Sequence, residues 1–90
     1  MKNIEDLKRF LISTFPEEEI ILFGSRARGD ASQHSDIDVA IRGKEKLKRA
    51  LAEARFVIEE SRLPYKVDLV DLSQAPYLET VIEKEGVVWH

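Results

Sequence analysis

Two aspartates, Asp36 and Asp38, are separated by one residue in a segment where apolar and polar residues alternate. In a strand, side chains at this spacing share a face, and their Cα atoms lie roughly 6–7 Å apart. Two carboxylates held so close repel each other unless a cation lies between them. Hard oxygen ligands without His or Cys favour Mg²⁺ or Mn²⁺ over Zn²⁺. The pair therefore predicts a divalent-cation site, although solvated aspartates on an exposed strand face would give the same pattern.

Gly24 and Ser25 follow a short apolar run, residues 19–23, and precede a segment that predicts a short helix. A strand that ends in glycine and leads into a helix presents backbone N–H groups and a positive dipole end to an anion. Ser25 adds a hydroxyl, while Arg26 and Arg28 add positive charge. Most Gly-Ser pairs are simple turns, but this one precedes the aspartate pair by one loop. The position favours phosphate binding by these four residues, with a plain surface role as the alternative for the two arginines.

The elements that must position these residues follow from hydrophobic periodicity and turn residues. In chain order we expect a helix capped by Asn3, a strand over 19–23, a short helix, a strand over 36–42, a helix over 44–61, a strand over 66–72, a helix capped by Ser73 and ended by Gly86, and a short strand over 87–89. This order predicts an α/β (α+β) fold in which a small mixed β-sheet is covered by helices. The length suits one domain, residues 1–90.

Composition narrows the functional class. The formal net charge of -3 argues against a nucleic-acid-binding module, which usually has a basic excess. The chain has no cysteine and only two histidines, His34 and His90, so a thiolate or histidine metal cluster is not expected. Neither a signal peptide nor an apolar run long enough to cross a membrane is visible. We therefore expect a cytoplasmic protein without a membrane partner.

The segment from Gly24 to Arg42, GSRARGDASQHSDIDVAIR, resembles the signature of the DNA polymerase β-type nucleotidyltransferase superfamily. In both, Gly-Ser is followed by ten residues and then by Asp-x-Asp. The Arg28-Gly29 and Ser35-Asp36 pairs and the closing Glu85 to Val88 pattern are similar to those of the minimal nucleotidyltransferases (MNT). The resemblance covers nearly the whole chain and implies the polymerase β-type fold. It also implies the role of antitoxin to a HEPN-domain toxin.

The family resemblance implies a third carboxylate on a neighbouring strand, for which Asp68 and Asp71 are the candidates. If Val67 and Leu69 point toward the helices, Asp68 lies on the face of Asp36 and Asp38. Asp68 is therefore our preferred third ligand. The alternative, Asp71, has the opposite parity and is expected to be a polar residue at the turn into the last helix.

The resemblance further implies a mechanism. Asp36 and Asp38 would hold Mg²⁺ ions, with Mn²⁺ as a substitute, while Gly24 and Ser25 bind the β and γ phosphates of ATP. Asp68 would complete a second metal site and help to deprotonate an acceptor hydroxyl. That oxygen attacks the α-phosphorus in line, and pyrophosphate leaves.

The acceptor must come from elsewhere, because larger superfamily members carry extra domains for which this chain has no room. We therefore predict an enzyme that transfers AMP from ATP to a hydroxyl of a protein partner, a HEPN protein in a hetero-oligomer. Two alternatives remain open. The chain could be a nucleotide-binding module that neutralises a partner by contact without catalysis, or an enzyme that transfers to a small molecule or an RNA end.

Overall fold

The computed structural model describes residues 1–29, 36–43 and 47–90. The helices and strands are α1 (Ile4–Thr14), β1 (Glu19–Phe23), α2 (Ser25–Arg28), β2 (Ile37–Arg42), α3 (Lys48–Glu60), β3 (Val67–Asp71), α4 (Glu79–Glu85) and β4 (Val87–Val88). Two 3₁₀ helices, Leu72–Gln74 and Pro76–Leu78, connect β3 to α4. The predicted order of helices and strands is confirmed. In the described part of the chain, no helix is both long and apolar enough to cross a membrane.

The four strands form one mixed sheet in the order β3-β2-β1-β4. The inner strand β1 is antiparallel to both of its neighbours, β2 and β4. The other inner strand, β2, is parallel to β3. The carboxyl end of β1 therefore lies beside the amino ends of β2 and β3. This arrangement brings the Gly-Ser turn and the three aspartates to the same edge of the sheet. The mixed sheet that the sequence predicted is confirmed.

One face of the sheet, which we call the core face, is covered by α1 and α3. Strict alternation in β2 directs Ile37, Val39 and Ile41 to this face, and all three are fully buried. Apolar residues at helical spacing supply the facing surface. The buried members of this cluster are Leu7, Leu11, Phe15, Ile20, Ile37, Val39, Ile41, Leu47, Leu51, Ala54, Ile58 and Leu69.

The opposite face, which we call the site face, is covered only in part. A smaller buried cluster forms there between the sheet and α4, and it consists of Ile21, Phe23, Ala40, Leu72 and Ile82. At the amino end of α4, Glu79 accepts hydrogen bonds from Arg42, which also donates to Glu19. These ion pairs tie α4 to the far ends of β1 and β2. Phe23 of this cluster pairs in register with Asp38, so the aspartates lie at the margin of the cluster.

The start of α1 follows the sequence prediction closely. Asn3 has extended backbone angles, and its side chain accepts a hydrogen bond from the Asp6 N–H at 2.9 Å. In a capping box, the side chain three residues after the cap would accept from the N–H of the cap residue, but here the Asp6 carboxylate accepts from the Lys2 N–H at 2.8 Å. Both bonds satisfy N–H groups near the amino end of the helix.

Several predicted boundaries shift. The long helix begins at Lys48 and ends at Glu60, whereas residues 44–46 of the predicted helix lie outside the described residues. Ser73 does not cap the last helix, because the chain first makes two 3₁₀ helices and α4 begins at Glu79. A Pro at the start of the second 3₁₀ helix explains part of the difference, since proline suits a first helical position.

Gly86 ends α4 as predicted, but for a steric reason. Its backbone is extended, with φ -66° and ψ 142°, so no left-handed cap is present. A Cβ at this position would lie 2.6 Å from the Ile82 carbonyl oxygen and 2.7 Å from the Ile21 side chain. Glycine is needed here because the chain passes close to β1.

Candidate active site

Asp38 and Asp68 occupy adjacent positions on neighbouring strands. Register pairs Asp38 with Asp68 on the parallel strand β3, and with Phe23 on the antiparallel strand β1. Paired residues on adjacent strands point to the same face and lie roughly 5 Å apart between strands. The two carboxylates therefore share the site face, as the alternation of both strands predicts.

Asp36 lies immediately before β2 and is exposed. The Ile37 N–H donates to the Lys66 carbonyl at 2.9 Å. The hydrogen bonding between β2 and the chain at the start of β3 therefore begins at the residue next to Asp36. Asp36 is close enough to Asp38 to act on its pKa. The structure thus brings Asp36, Asp38 and Asp68 to one edge of the site face.

The glycine of the Gly-Ser turn lies directly against Asp38. Gly24 has a φ of 80°, in the region that favours glycine, and it caps α2. A Cβ on Gly24 would lie 2.4 Å from Asp38 Oδ2, which is closer than atoms can approach. Glycine is therefore needed for two reasons, the backbone angle and the approach of a carboxylate. The predicted phosphate turn and the predicted metal-binding strand are in contact.

The electrostatics of Asp38 reflect this crowding. Partial burial raises the pKa of the Asp38 carboxyl above its usual range, and the negative charges of Asp68 and Asp36 raise it further. Arg28 acts in the opposite direction on the same pKa. A raised carboxyl pKa beside two like charges is typical of a site that a cation would stabilise.

The two arginines of α2 have different surroundings. The Arg26 guanidinium lies 4.7 Å from the centre of the Tyr65 ring, a cation–π distance. Arg28 forms an ion pair with Glu85, 3.1 Å from its Oε2 atom. Both arginines lie beside the Gly-Ser turn, as predicted, but their phosphate-binding role stays a prediction.

Sequence reasoning did not assign Tyr65 and Glu85 to the site. Tyr65 lies just before β3, and its aromatic ring contacts Arg26 of α2. The two residues are far apart in the sequence, and hydrophobic periodicity indicates contacts only between residues that are close in sequence. Glu85 was noted only as part of the closing pattern of the chain. It accepts hydrogen bonds from the Gly24 N–H at 3.3 Å and from Arg28 at 3.2 Å. An acidic residue before Gly86 was the available signal, but nothing in the sequence placed it beside Gly24.

Asp71, the alternative third carboxylate, faces away from this edge. It pairs with Ile41, whose side chain belongs to the core face. Its carboxylate accepts hydrogen bonds from the Ser73 N–H at 2.9 Å and the Ser73 hydroxyl at 2.8 Å. Asp71 caps the 3₁₀ helix that follows β3, as expected for a turn residue.

The donor set at the site edge suits a hard divalent cation. All three candidate ligands are carboxylates, and partial burial together with repulsion from the other two raises the pKa of Asp38. As placed, however, no three Asp, Glu, His or Cys side chains within residues 1–29, 36–43 and 47–90 converge tightly enough to hold a metal ion. The three carboxylates therefore have the chemistry that a divalent cation requires, and they lie on the same face of the sheet. Binding would require their side chains to turn toward the ion.

The profile of the family described as "Polymerase beta, Nucleotidyltransferase" matches residues 5–89. The chain belongs to this nucleotidyltransferase family. The family and fold predicted from the Gly-Ser and Asp-x-Asp spacing are thereby confirmed. Over 67 residues the chain is 40% identical to a Haemophilus influenzae protein named probable protein adenylyltransferase MntA, a match that covers 72% of this chain. The match spans only 58% of that relative's length.

Solved structures of the family support the minimal branch. A chain in a crystal structure described as a toxin–antitoxin with AMP-PNP matches at a TM-score of 0.77 and 28% identity, covering 98% of this chain and 73% of that one. A second match is to a chain in a complex described as a tri-AMPylated Shewanella oneidensis HEPN toxin with MNT antitoxin. Its TM-score is 0.67 at 25% identity, and it covers 96% of this chain and 71% of that one. The resemblance to minimal nucleotidyltransferases is confirmed.

Proposed function

We propose that this nucleotidyltransferase-family chain transfers AMP from ATP to a hydroxyl of a partner protein and releases pyrophosphate. The partner that we propose is a HEPN-domain toxin, which the chain would neutralise as its antitoxin. The observation that carries the proposal is the position of Asp38, which lies against Gly24 and in register with Asp68. A turn suited to phosphate and a pair of carboxylates thus meet at one point.

The relatives support the chemistry and the acceptor. One is named a protein adenylyltransferase, one solved complex contains AMP-PNP, and another contains an AMPylated HEPN toxin. AMP-PNP is an analogue of ATP, so ATP is the donor that we propose. The AMPylated toxin in the second complex supports a protein as the acceptor that we propose.

Each residue of the site has a proposed task. Gly24 and Ser25 bind the β and γ phosphates, and Arg26 and Arg28 provide positive charge beside them. Asp36, Asp38 and Asp68 would hold two Mg²⁺ ions, which Mn²⁺ could replace; when bound, such ions neutralise charge on the triphosphate and on the departing pyrophosphate.

Asp68 also accepts the proton of the acceptor hydroxyl. The hydroxyl oxygen then forms a bond to the α-phosphorus, and the bond from that phosphorus to the bridging oxygen breaks.

The test is transfer of labelled AMP. The chain is incubated with ATP labelled at the α-phosphate, Mg²⁺ and the folded HEPN-domain protein encoded beside it, and label on the partner is measured. We expect labelling by the wild type and its loss in Asp36→Asn, Asp38→Asn and Asp68→Asn. Absence of label on a folded partner would contradict the proposal.

Asp71→Asn provides a matched control. This aspartate is on the same strand as Asp68 but faces the other way, and asparagine keeps an oxygen that can accept from Ser73. Labelling by Asp71→Asn at the wild-type rate would place the third carboxylate on the site face. Equal losses in the Asp68 and Asp71 variants would contradict the assignment of Asp68.

Neutralisation by contact alone, without catalysis, is the alternative that the same variants test. If Asp38→Asn neutralised the partner as well as the wild type does, while neither protein transferred AMP, contact would be the function. Neutralisation that is lost together with transfer would support catalysis.

A further inference from the structure

We infer that Glu85 is a positioning residue for the polyphosphate of the nucleotide, an inference that rests on the proposed function. The carboxylate lies at the last turn of α4, where it contacts both the first residue of the predicted phosphate turn and the last residue of α2. It would hold Gly24 and Arg28 in the arrangement that binds phosphate.

The contacts of Glu85 are specific to this turn. Its Oε1 atom accepts from the Gly24 N–H at 3.3 Å, and Arg28 donates to Oε1 at 3.2 Å and to Oε2 at 3.1 Å. These three bonds join residues 61 and 57 positions apart in the chain. A single carboxylate therefore fixes both ends of the segment from Gly24 to Arg28.

Gly24 needs such an anchor. Glycine has the widest choice of backbone angles, and its φ of 80° is one of several that it can adopt easily. The position that a Cβ of the same residue would take is filled by the Asp38 carboxylate. Gly24 is thus held between Asp38, which the mechanism uses, and Glu85, which it does not.

The ion pair between Arg28 and Glu85 is expected to contribute little to the stability of the fold. The Arg28 side chain is 47% exposed and that of Glu85 is 20% exposed. Ion pairs with an exposed partner contribute little to stability, because water screens the charges and two long side chains lose freedom. The geometry of the pair matters more, since Arg28 also acts on the Asp38 carboxyl.

α4 offers a matched comparison at its other end. Glu79 is also a glutamate of α4 in an ion pair with an arginine, Arg42. This pair holds α4 to the sheet at the end that is remote from Gly24. Loss of Glu79 removes an ion pair remote from Gly24, whereas loss of Glu85 removes the contacts that hold the phosphate turn.

The test measures binding of AMP-PNP with Mg²⁺ by titration calorimetry, together with the thermal midpoint of each protein. For Glu85→Ala we expect the Kd to rise about tenfold, an effect similar to the loss of one hydrogen bond to a charged group. Glu85→Gln keeps an acceptor oxygen for the Gly24 N–H, and its Kd is expected within about threefold of the wild type. Glu79→Ala removes a similarly exposed ion pair, so both alanine variants should keep a thermal midpoint close to that of the wild type, and only Glu85→Ala should raise the Kd.

Three results would overturn the inference. One is an unchanged Kd in Glu85→Ala, and another is an equal rise in the Glu79→Ala Kd, which would assign the effect to the docking of α4. Tighter binding by Glu85→Ala would mean that the carboxylate competes with phosphate for the same donors. Failure of the proposed function is separate: the wild type would then bind no AMP-PNP, or bind it and transfer no AMP.

Discussion

The two faces of the sheet consist of the same strands but are covered by different helices and to different extents. The core face is closed by α1 and α3, and the inward residues of β2 on this face are fully buried. On the site face, α4 runs from Arg42 at the far end of the sheet to Gly24, and it leaves Asp36 and Asp68 exposed. Apolar burial therefore determines one face, and charge and close backbone packing organise the other.

This difference separates two kinds of residue on the same strand. On β2, Val39 is fully buried in the core, whereas its neighbour Asp38 is only partly buried beside other carboxylates. The first stabilises the fold, and the second has a carboxyl whose pKa is raised by its surroundings. We expect substitutions on the core face to act on stability and substitutions at the site edge to act on binding and transfer.

The largest effect is expected on the core face. Leu11 of α1 is fully buried, so Leu11→Ala removes apolar contacts and leaves a cavity. The expected cost is about 2–5 kcal/mol of unfolding free energy, a large part of what a small domain has. Urea denaturation measures it, with Ser13→Ala at an exposed position of the same helix as the control. A cost below about 1 kcal/mol would show that α1 is not essential to this core.

Asp38→Asn is expected to separate activity from stability. AMP transfer should fall at least about 100-fold, because one carboxylate ligand and its charge are lost. Without divalent metal and at neutral pH, the variant should be at least as stable as the wild type, since a partly buried charge is removed and repulsion from Asp68 and Asp36 is relieved. Thermal unfolding in the presence of a chelator measures the second effect. A clear loss of stability would contradict the view that this carboxylate is held at a cost to the fold.

Gly86→Ala tests the packing of α4 on the site face. The new methyl group would meet the Ile82 carbonyl oxygen and the Ile21 side chain at less than 3 Å. Overpacking of this kind costs about 1–3 kcal/mol, and chemical denaturation would measure it. Glu83→Ala, at an exposed position of the same helix, serves as the control. Equal stability of Gly86→Ala and the wild type would mean that α4 can shift freely on β1.

The smallest effect is expected at the start of α1, remote from the site edge. Asn3→Ala removes the side-chain bond to the Asp6 N–H and should cost about 1 kcal/mol. Asn3→Asp keeps an acceptor and should restore most of the loss. AMP transfer at a temperature where the protein is folded should be unchanged in both variants. A change in transfer would mean that α1 affects the site edge through the sheet.

The sequence by itself determined much of this protein. Alternation in residues 36–42 predicted both the core face and the shared direction of Asp36 and Asp38, because successive side chains of a strand point to opposite faces. Parity likewise separated Asp68 from Asp71 once a neighbouring strand was assumed. The Asn3 cap and the fold family also followed from local residues and their spacing. Such features depend on backbone geometry over a few residues, and a sequence records them directly.

Only the tertiary structure decided which distant residues meet. The register that pairs Asp38 with Asp68, the approach of Asp38 to Gly24 and the contact of Glu85 with Gly24 and Arg28 each join separate segments. The end of β3 was similar, because two 3₁₀ helices replaced a cap at Ser73. Local propensity does not predict these contacts between separate segments, because strand order and helix docking depend on how all the apolar faces are buried together. The aspartate pair could therefore be recognised in the sequence. The contact of the Glu85 carboxylate with the glycine turn could not.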